Sequence, residues 1–169
     1  MKKYVFIFSF LFVLLSMSCT VDEQCRTNKI VEMGIGFYHV VKNDSTKIVT
    51  TTSLSIDSLT IKGLKYDSIA QNYVYVDSNL FIKSKLTSKI YLPLHKFKVE
   101  SKYEVIFNKT KDTITVLHEN ADQFLSLECG CIKIHTIDTV LTTNHFVDSI
   151  RIINHNVNTN NAENIHLFK

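Results

Sequence analysis

The sequence has 169 residues, 45% of them apolar and 21% charged, with four Gly, one Pro, four Cys and no Trp. That apolar share excludes a disordered tail, and so little Gly and Pro excludes collagen or a low-complexity linker. The formal net charge of +3 is too small to mark a nucleic-acid partner.

Lys2 and Lys3 precede an almost unbroken apolar run from Tyr4 to Leu15, which closes on Ser16-Met17-Ser18 before Cys19. A charged start, a short apolar stretch and a small-residue exit form the layout of a secretory signal. The run is shorter than the roughly 20 residues that a membrane-spanning helix needs. Residues 1–18 are therefore expected to be a signal peptide. Its removal leaves 151 residues carrying 17 basic and 16 acidic side chains, because two of the 19 basic residues go with it. A chain of that size makes one domain that buries ~70% of its unfolded surface.

The small residue before Cys19 makes this stretch resemble a bacterial lipobox, in the relaxed form found in the Bacteroidota. Leu15 sits one place further back than the usual pattern, and Ser16 takes the expected aliphatic position. The resemblance implies cleavage before Cys19 and lipidation of its sulfur. Several acyl chains, at ~0.8 kcal/mol per buried CH₂, anchor a protein stably. Thr20 follows, where an aspartate would mark inner-membrane retention. The pair Asp22-Glu23 resembles the acidic export signal of surface lipoproteins. The expected location is thus the outer membrane, lipid-anchored and facing the cell surface, with residues 19–28 as a tether and 29–169 as the folded domain.

Beyond Cys25 the pattern is strand after strand. Ala occurs only at positions 70, 121 and 162, while Ile, Val and Thr dominate, a β-branched bias that disfavours helices. Apolar residues alternate through Tyr73–Val76, Tyr103–Phe107 and Ile114–His118, as half-buried strands require. Expected strands run over Ile30–Val41, Lys47–Ser55, Ser58–Lys62, Tyr73–Val76, Leu80–Lys83, Lys89–Leu92, Tyr103–Asn108, Asp112–His118, Phe124–Glu128, Cys131–Thr139, Phe146–Ile153 and Asn164–Phe168. Many short strands joined by polar turns such as Asn43-Asp44-Ser45 predict an all-β fold, a single antiparallel β-sandwich. Asp-Ser pairs at Asp44, Asp57, Asp67, Asp77 and Asp148 read as turn chemistry at strand ends. The Asn-rich tract 154–164 reads as a loop.

With Cys19 assigned to lipid, Cys25, Cys129 and Cys131 remain, an odd number for an oxidising compartment: one disulfide and one free thiol. A Cys129–Cys131 bond would close a small, strained ring across Gly130. Cys25 with either of them staples the start of the domain to a late strand. A redox pair or a thiolate metal site is the alternative use. Cys-x-Cys with His135 nearby matches zinc-ligand spacing poorly, and no metal site is expected.

No nucleophile elbow, phosphate loop, dinucleotide fingerprint or His-Glu-x-x-His pattern occurs. The ten-residue spacing of His135, His145 and His155 raises the prospect of neighbouring strand levels. Carboxylates for glycoside hydrolysis, such as Glu100, Glu104 and Asp138, have nothing to single them out. Tyr73, Tyr75, Tyr91 and Tyr103 fit alternating strand faces. The expectation is no enzyme and no cofactor.

Several stretches resemble an uncharacterised family of lipid-anchored β proteins of the Bacteroidota, a domain of unknown function. They are Asp57-Ser58-Leu59-Thr60-Ile61-Lys62-Gly63, Ser88-Lys89-Ile90-Tyr91-Leu92-Pro93-Leu94 and Asp112-Thr113-Ile114-Thr115-Val116. Leu127-Glu128-Cys129-Gly130, Ile137-Asp138-Thr139 and Glu163-Asn164-Ile165 complete the set. The resemblance implies a Cys25–Cys129 bridge, from which the Cys129/Cys131 doublet is a departure, and it supplies no enzymatic residues.

The expected function is a non-enzymatic outer-membrane lipoprotein. It would serve as a protein-binding accessory subunit of an outer-membrane β-barrel or of an envelope-biogenesis complex. A surface module for a glycan or small ligand is the second reading, and an envelope redox protein using Cys129 and Cys131 the third.

Overall fold

The structure, a computed structural model, describes residues 25, 27–42, 49–76, 80–83 and 86–169. The signal segment, Cys19, Asp22, Glu23, the turn at 43–45 and the Asp77 pair lie outside the described residues. Among those described there are twelve strands and no helix. These are β1 (Met33–Lys42), β2 (Val49–Ser53), β3 (Leu59–Asp67), β4 (Asn72–Tyr75), β5 (Phe81–Lys83) and β6 (Lys89–Leu92). They continue as β7 (Glu100–Phe107), β8 (Thr110–Ser126), β9 (Gly130–Thr142), β10 (Ser149–Ile152), β11 (Asn156–Val157) and β12 (Glu163–Phe168).

The strands form two sheets, and the protein is a β-sandwich. The first has the order β10-β12-β1-β2, with β6 also paired to β1; the second runs β11-β9-β8-β7-β3-β4, with β5 also on β3. Every pairing is antiparallel except β1 with β12, which run parallel. The inward residues of one sheet, including Met33, Ile35, Phe37, Ile165 and Leu167, meet Leu59, Ile61, Val105, Phe107, Ile114 and Val116 of the other. Phe37 and Phe107 touch edge to face at 5.9 Å between centroids, a geometry favoured by the ring quadrupole. Burying each such side chain stabilises the fold by about 1.5–3 kcal/mol.

Gly34 makes the parallel pair possible. A Cβ there would lie 2.4 Å from the Ala162 carbonyl oxygen, so only glycine lets β12 approach this closely. Asn164 closes the same corner: its Oδ1 accepts the Gly34 N–H, and its Nδ2 donates to the carbonyls of Asn154 and Asn156. This anchoring orders part of the tract expected to be a loop, where Asn156–Val157 form β11 against His135 and Thr136. Phe124 is not on a separate strand either. Residues up to Ser126 continue β8, which turns through Leu127-Glu128-Cys129 into β9, with Gly130 at φ +71°. A three-residue turn followed by a left-handed residue is a standard hairpin closure, and glycine takes that conformation without steric cost.

Asp67 bears out the turn reading directly, its Oδ1 accepting the N–H groups of Ile69 and Ala70, and Asp57 precedes a left-handed Ser58. Asp148 instead leads into β10 and pairs with Lys169.

Candidate functional site

The β8–β9 hairpin carries the main polar cluster, and a bulge places it. Leu117 pairs with Thr139 but His118 with Ile137, so Asp138 is left unpaired. One extra residue on a strand exchanges its faces. Val140 and Thr142 point inward before the bulge, Ile137 and His135 after it. His135 thereby comes opposite Asn120.

The amide of Asn120 is oriented by its Nδ2, which donates to the Lys98 carbonyl at 2.8 Å. Its Oδ1 therefore accepts from both rings, His118 Nδ1 at 3.0 Å and His135 Nδ1 at 2.6 Å. Both imidazoles are neutral with the proton on Nδ1. Burial pushes the His118 pKa down. Burial, with the nearby His118 and the cations Lys96 and Lys133, pushes that of His135 down to about 4. His118 Nε2 then accepts from Ser101 Oγ at 2.9 Å, while that oxygen accepts the His95 N–H.

Ser101, His118 and Asn120 thus have the connectivity of a hydrolase triad. Ser101 and His118 are both buried, and the serine hydroxyl is already used on both sides. The arrangement satisfies buried polar groups. His135 differs: its Nδ1 is committed to Asn120, no partner for its Nε2 occurs among the described residues, and the ring lines an open cleft.

The cleft has a volume of about 580 Å³. The segment 29–32 forms one wall and the loop carrying Lys96 another; Asp122 on β8 and Cys131, Lys133 and His135 on β9 form the floor. Lys133 pairs with Asp122 at 2.8 Å, which leaves Lys29 and Lys96 as its remaining cations. Segment 29–32 is fixed there by its neighbours: Cys25 is bonded to Cys129 in the hairpin turn, Cα to Cα 4.9 Å, and Asn28 donates to the Thr159 carbonyl. Cys131 is free and exposed. It lies four residues from His135 on the same strand, about 13 Å along an extended chain, so the two form no thiolate–imidazole pair.

The other residues of interest stand apart. His145 sits beside Asp112, while His155 lies opposite Ile137, two residues along β9 from His135, with its Nδ1 contacting the Ile137 carbonyl. No group of three metal-ligating side chains occurs among the described residues. Glu100 and Glu104 accept from the hydroxyls of Tyr73 and Tyr75. Lys102 and Lys62 lie over those rings at 3.7 and 4.7 Å, which occupies a ring face that a sugar would need. Tyr103 is in the core, donating to the Pro93 carbonyl. Asp112 is fully buried, its Oδ1 accepting from His145 N and Thr143 Oγ1 and its Oδ2 from Phe146 N and Val147 N. These hydrogen bonds outweigh burial and hold its pKa below the usual carboxylate value.

The model of a family described as a family of unknown function (DUF6452) matches residues 58–169, from the start of β3 to the end of the chain. The chain belongs to that family. The match takes in both strands of the hairpin, all three residues of the Ser101–His118–Asn120 chain, and His135. No curated protein and no solved structure matches the chain.

Proposed function

We propose that the protein is a non-enzymatic lipoprotein of the outer membrane, tethered through Cys19 and facing the cell surface. Its sandwich is a protein-binding accessory subunit of an outer-membrane β-barrel or of an envelope-biogenesis complex. One observation carries this reading. Ser101, His118 and Asn120 spend their hydrogen bonds on one another and on the backbone, while His135, Lys29 and Lys96 line an open cleft. Such a surface recognises rather than transforms. The disulfide fits an oxidising envelope compartment, and the lipobox-like stretch before Cys19 supplies the anchor.

Two measurements test it. The full chain should float with outer-membrane vesicles and Cys19→Ala should not. Chemical crosslinking in membranes followed by purification of the lipoprotein should recover an integral β-barrel protein; recovery of the lipoprotein alone overturns the accessory role.

The cleft itself favours a second reading, a module for a small anionic ligand held by Lys29 and Lys96 with His135 Nε2 as acceptor. The third reading, an envelope redox protein using Cys129 and Cys131, would start from the Cys25–Cys129 disulfide with Cys131 as the free thiol.

A further inference from the structure

We infer that the cleft end of the sandwich rests on the surface of the phospholipid bilayer that anchors the chain, with the β8–β9 turn and the loop 95–99 as its contact points. The inference rests on the lipid-anchor reading above and adds an orientation to it. Cys25 is six residues beyond Cys19, and six residues reach at most about 20 Å even when fully extended. Because Cys25 is bonded to Cys129, that limit applies to the hairpin turn as well. The tip of β8–β9 can never leave the neighbourhood of the acyl chains.

The residues of this turn, and of the loop bonded further back along the same hairpin, suit an interface. Leu127 in the turn is 89% exposed and Phe97 in the loop 83%, and Val99, Phe124 and Ile30 are also exposed. The loop is tied to the hairpin, since the Lys98 carbonyl accepts from Asn120 and the Val99 carbonyl from His118 N. Ile30 lines the cleft, Phe124 pairs with Cys131 on its floor, and Phe97 follows Lys96 of its wall in the chain. Lys29, Lys96 and Lys133 line the cleft with Glu32 and Asp122, Lys133 being paired with Asp122. Aromatic and aliphatic tips flanked by lysines settle at the headgroup level, where the rings meet acyl chains and the ammonium groups meet phosphates.

Cys131 supplies the probe, as the free thiol of the described residues and a rung partner of Phe124. The full-length lipidated chain, labelled there with an environment-sensitive fluorophore, is reconstituted into phosphatidylethanolamine–phosphatidylglycerol vesicles carrying spin-labelled lipids. Flotation, a blue-shifted emission and quenching by headgroup-proximal spin labels are expected. The double variant Phe97→Ser, Leu127→Ser should still float while its emission shifts back to the red and its quenching falls well below that of the unaltered chain. Both positions are exposed, so folding is unaffected. Flotation of the unaltered chain without quenching overturns the contact and leaves the anchor standing; failure to float overturns both.

Discussion

Asn120 and His135 face each other across the β8–β9 ladder, and one amide oxygen serves two imidazoles, lying 2.6 Å from His135 Nδ1 and 3.0 Å from His118 Nδ1. Replacing Asn120 with Ala strands two ring N–H groups and the Lys98 carbonyl. The expected loss is about 2–3 kcal/mol of unfolding free energy, read as a lowered urea midpoint. Asn120→Asp keeps the acceptor and adds a negative charge, so the His135 pKa should rise from about 4, visible in the pH titration of its ring protons by NMR.

The two histidines make stability depend on pH in a definite direction. Their folded pKa values lie below the ordinary 6.5, so between those values the unfolded chain binds more protons. Their contribution is complete above 6.5 and is lost as the pH falls from 6.5 towards about 4 for His135. That change amounts to about 3 kcal/mol for His135 alone, with His118 adding in the same sense. Urea unfolding at pH 7.5 and at pH 4.5 should show it; equal midpoints would refute the assignment of neutral buried rings.

Asp112 acts in a lower window, because its folded pKa is depressed below 3.8. Its stabilisation is present above 3.8 and disappears as the pH drops through the folded value. Asp112→Ala should cost about 3–5 kcal/mol, since it orphans the N–H groups of the 143–147 loop. Asp112→Asn should be nearly as harmful, because an amide turns an NH₂ towards donors. Thermal melts of the two variants provide the comparison.

The disulfide closes a loop with a sequence separation of 104, for which loop-closure entropy gives about 4–5 kcal/mol. Cys25→Ser should lose stability of that order, and Cys131→Ser none, as measured by chemical unfolding without reductant. Hydrogen exchange of Ile30 to Glu32 should accelerate in Cys25→Ser, because the cleft wall loses its fastening.

Most of the architecture could be read from alternation. Tyr103, Val105 and Phe107 pointed to a strand with one buried face, and that is how β7 sits. Local pattern could not show pairing between distant segments. Nothing near Gly34 indicates that Ala162 lies against it, and the Asn-rich tract gains β11 only because Asn164 captures the carbonyls of 154 and 156. The site was less legible. Even ten-residue spacing drew attention to His145 and His155, whereas the histidine that matters together with His135 is His118. A hairpin closed by Leu127-Glu128-Cys129, with Ser126 opposite Gly130, would have set Asn120 against Thr136, and only the register shift between Phe124 and Ser126 brings His135 there. Without the bulge at Asp138, however, strict alternation from Val140 puts Asp138, Thr136 and Ile134 inside and His135 out.

The parallel pairing of β1 with β12 has a consequence for biogenesis. If the chain is exported as proposed, it is threaded from its N-terminus, so the central strand of the first sheet emerges more than a hundred residues before its partner β12. Until Glu163–Phe168 arrives, β1 presents an open edge of unpaired backbone with Ile35 and Phe37 uncovered, the kind of surface that recruits foreign strands. Completion of this sheet waits for Glu163–Phe168, and a chain lacking that strand should be lost to aggregation or proteolysis, however intact the second sheet.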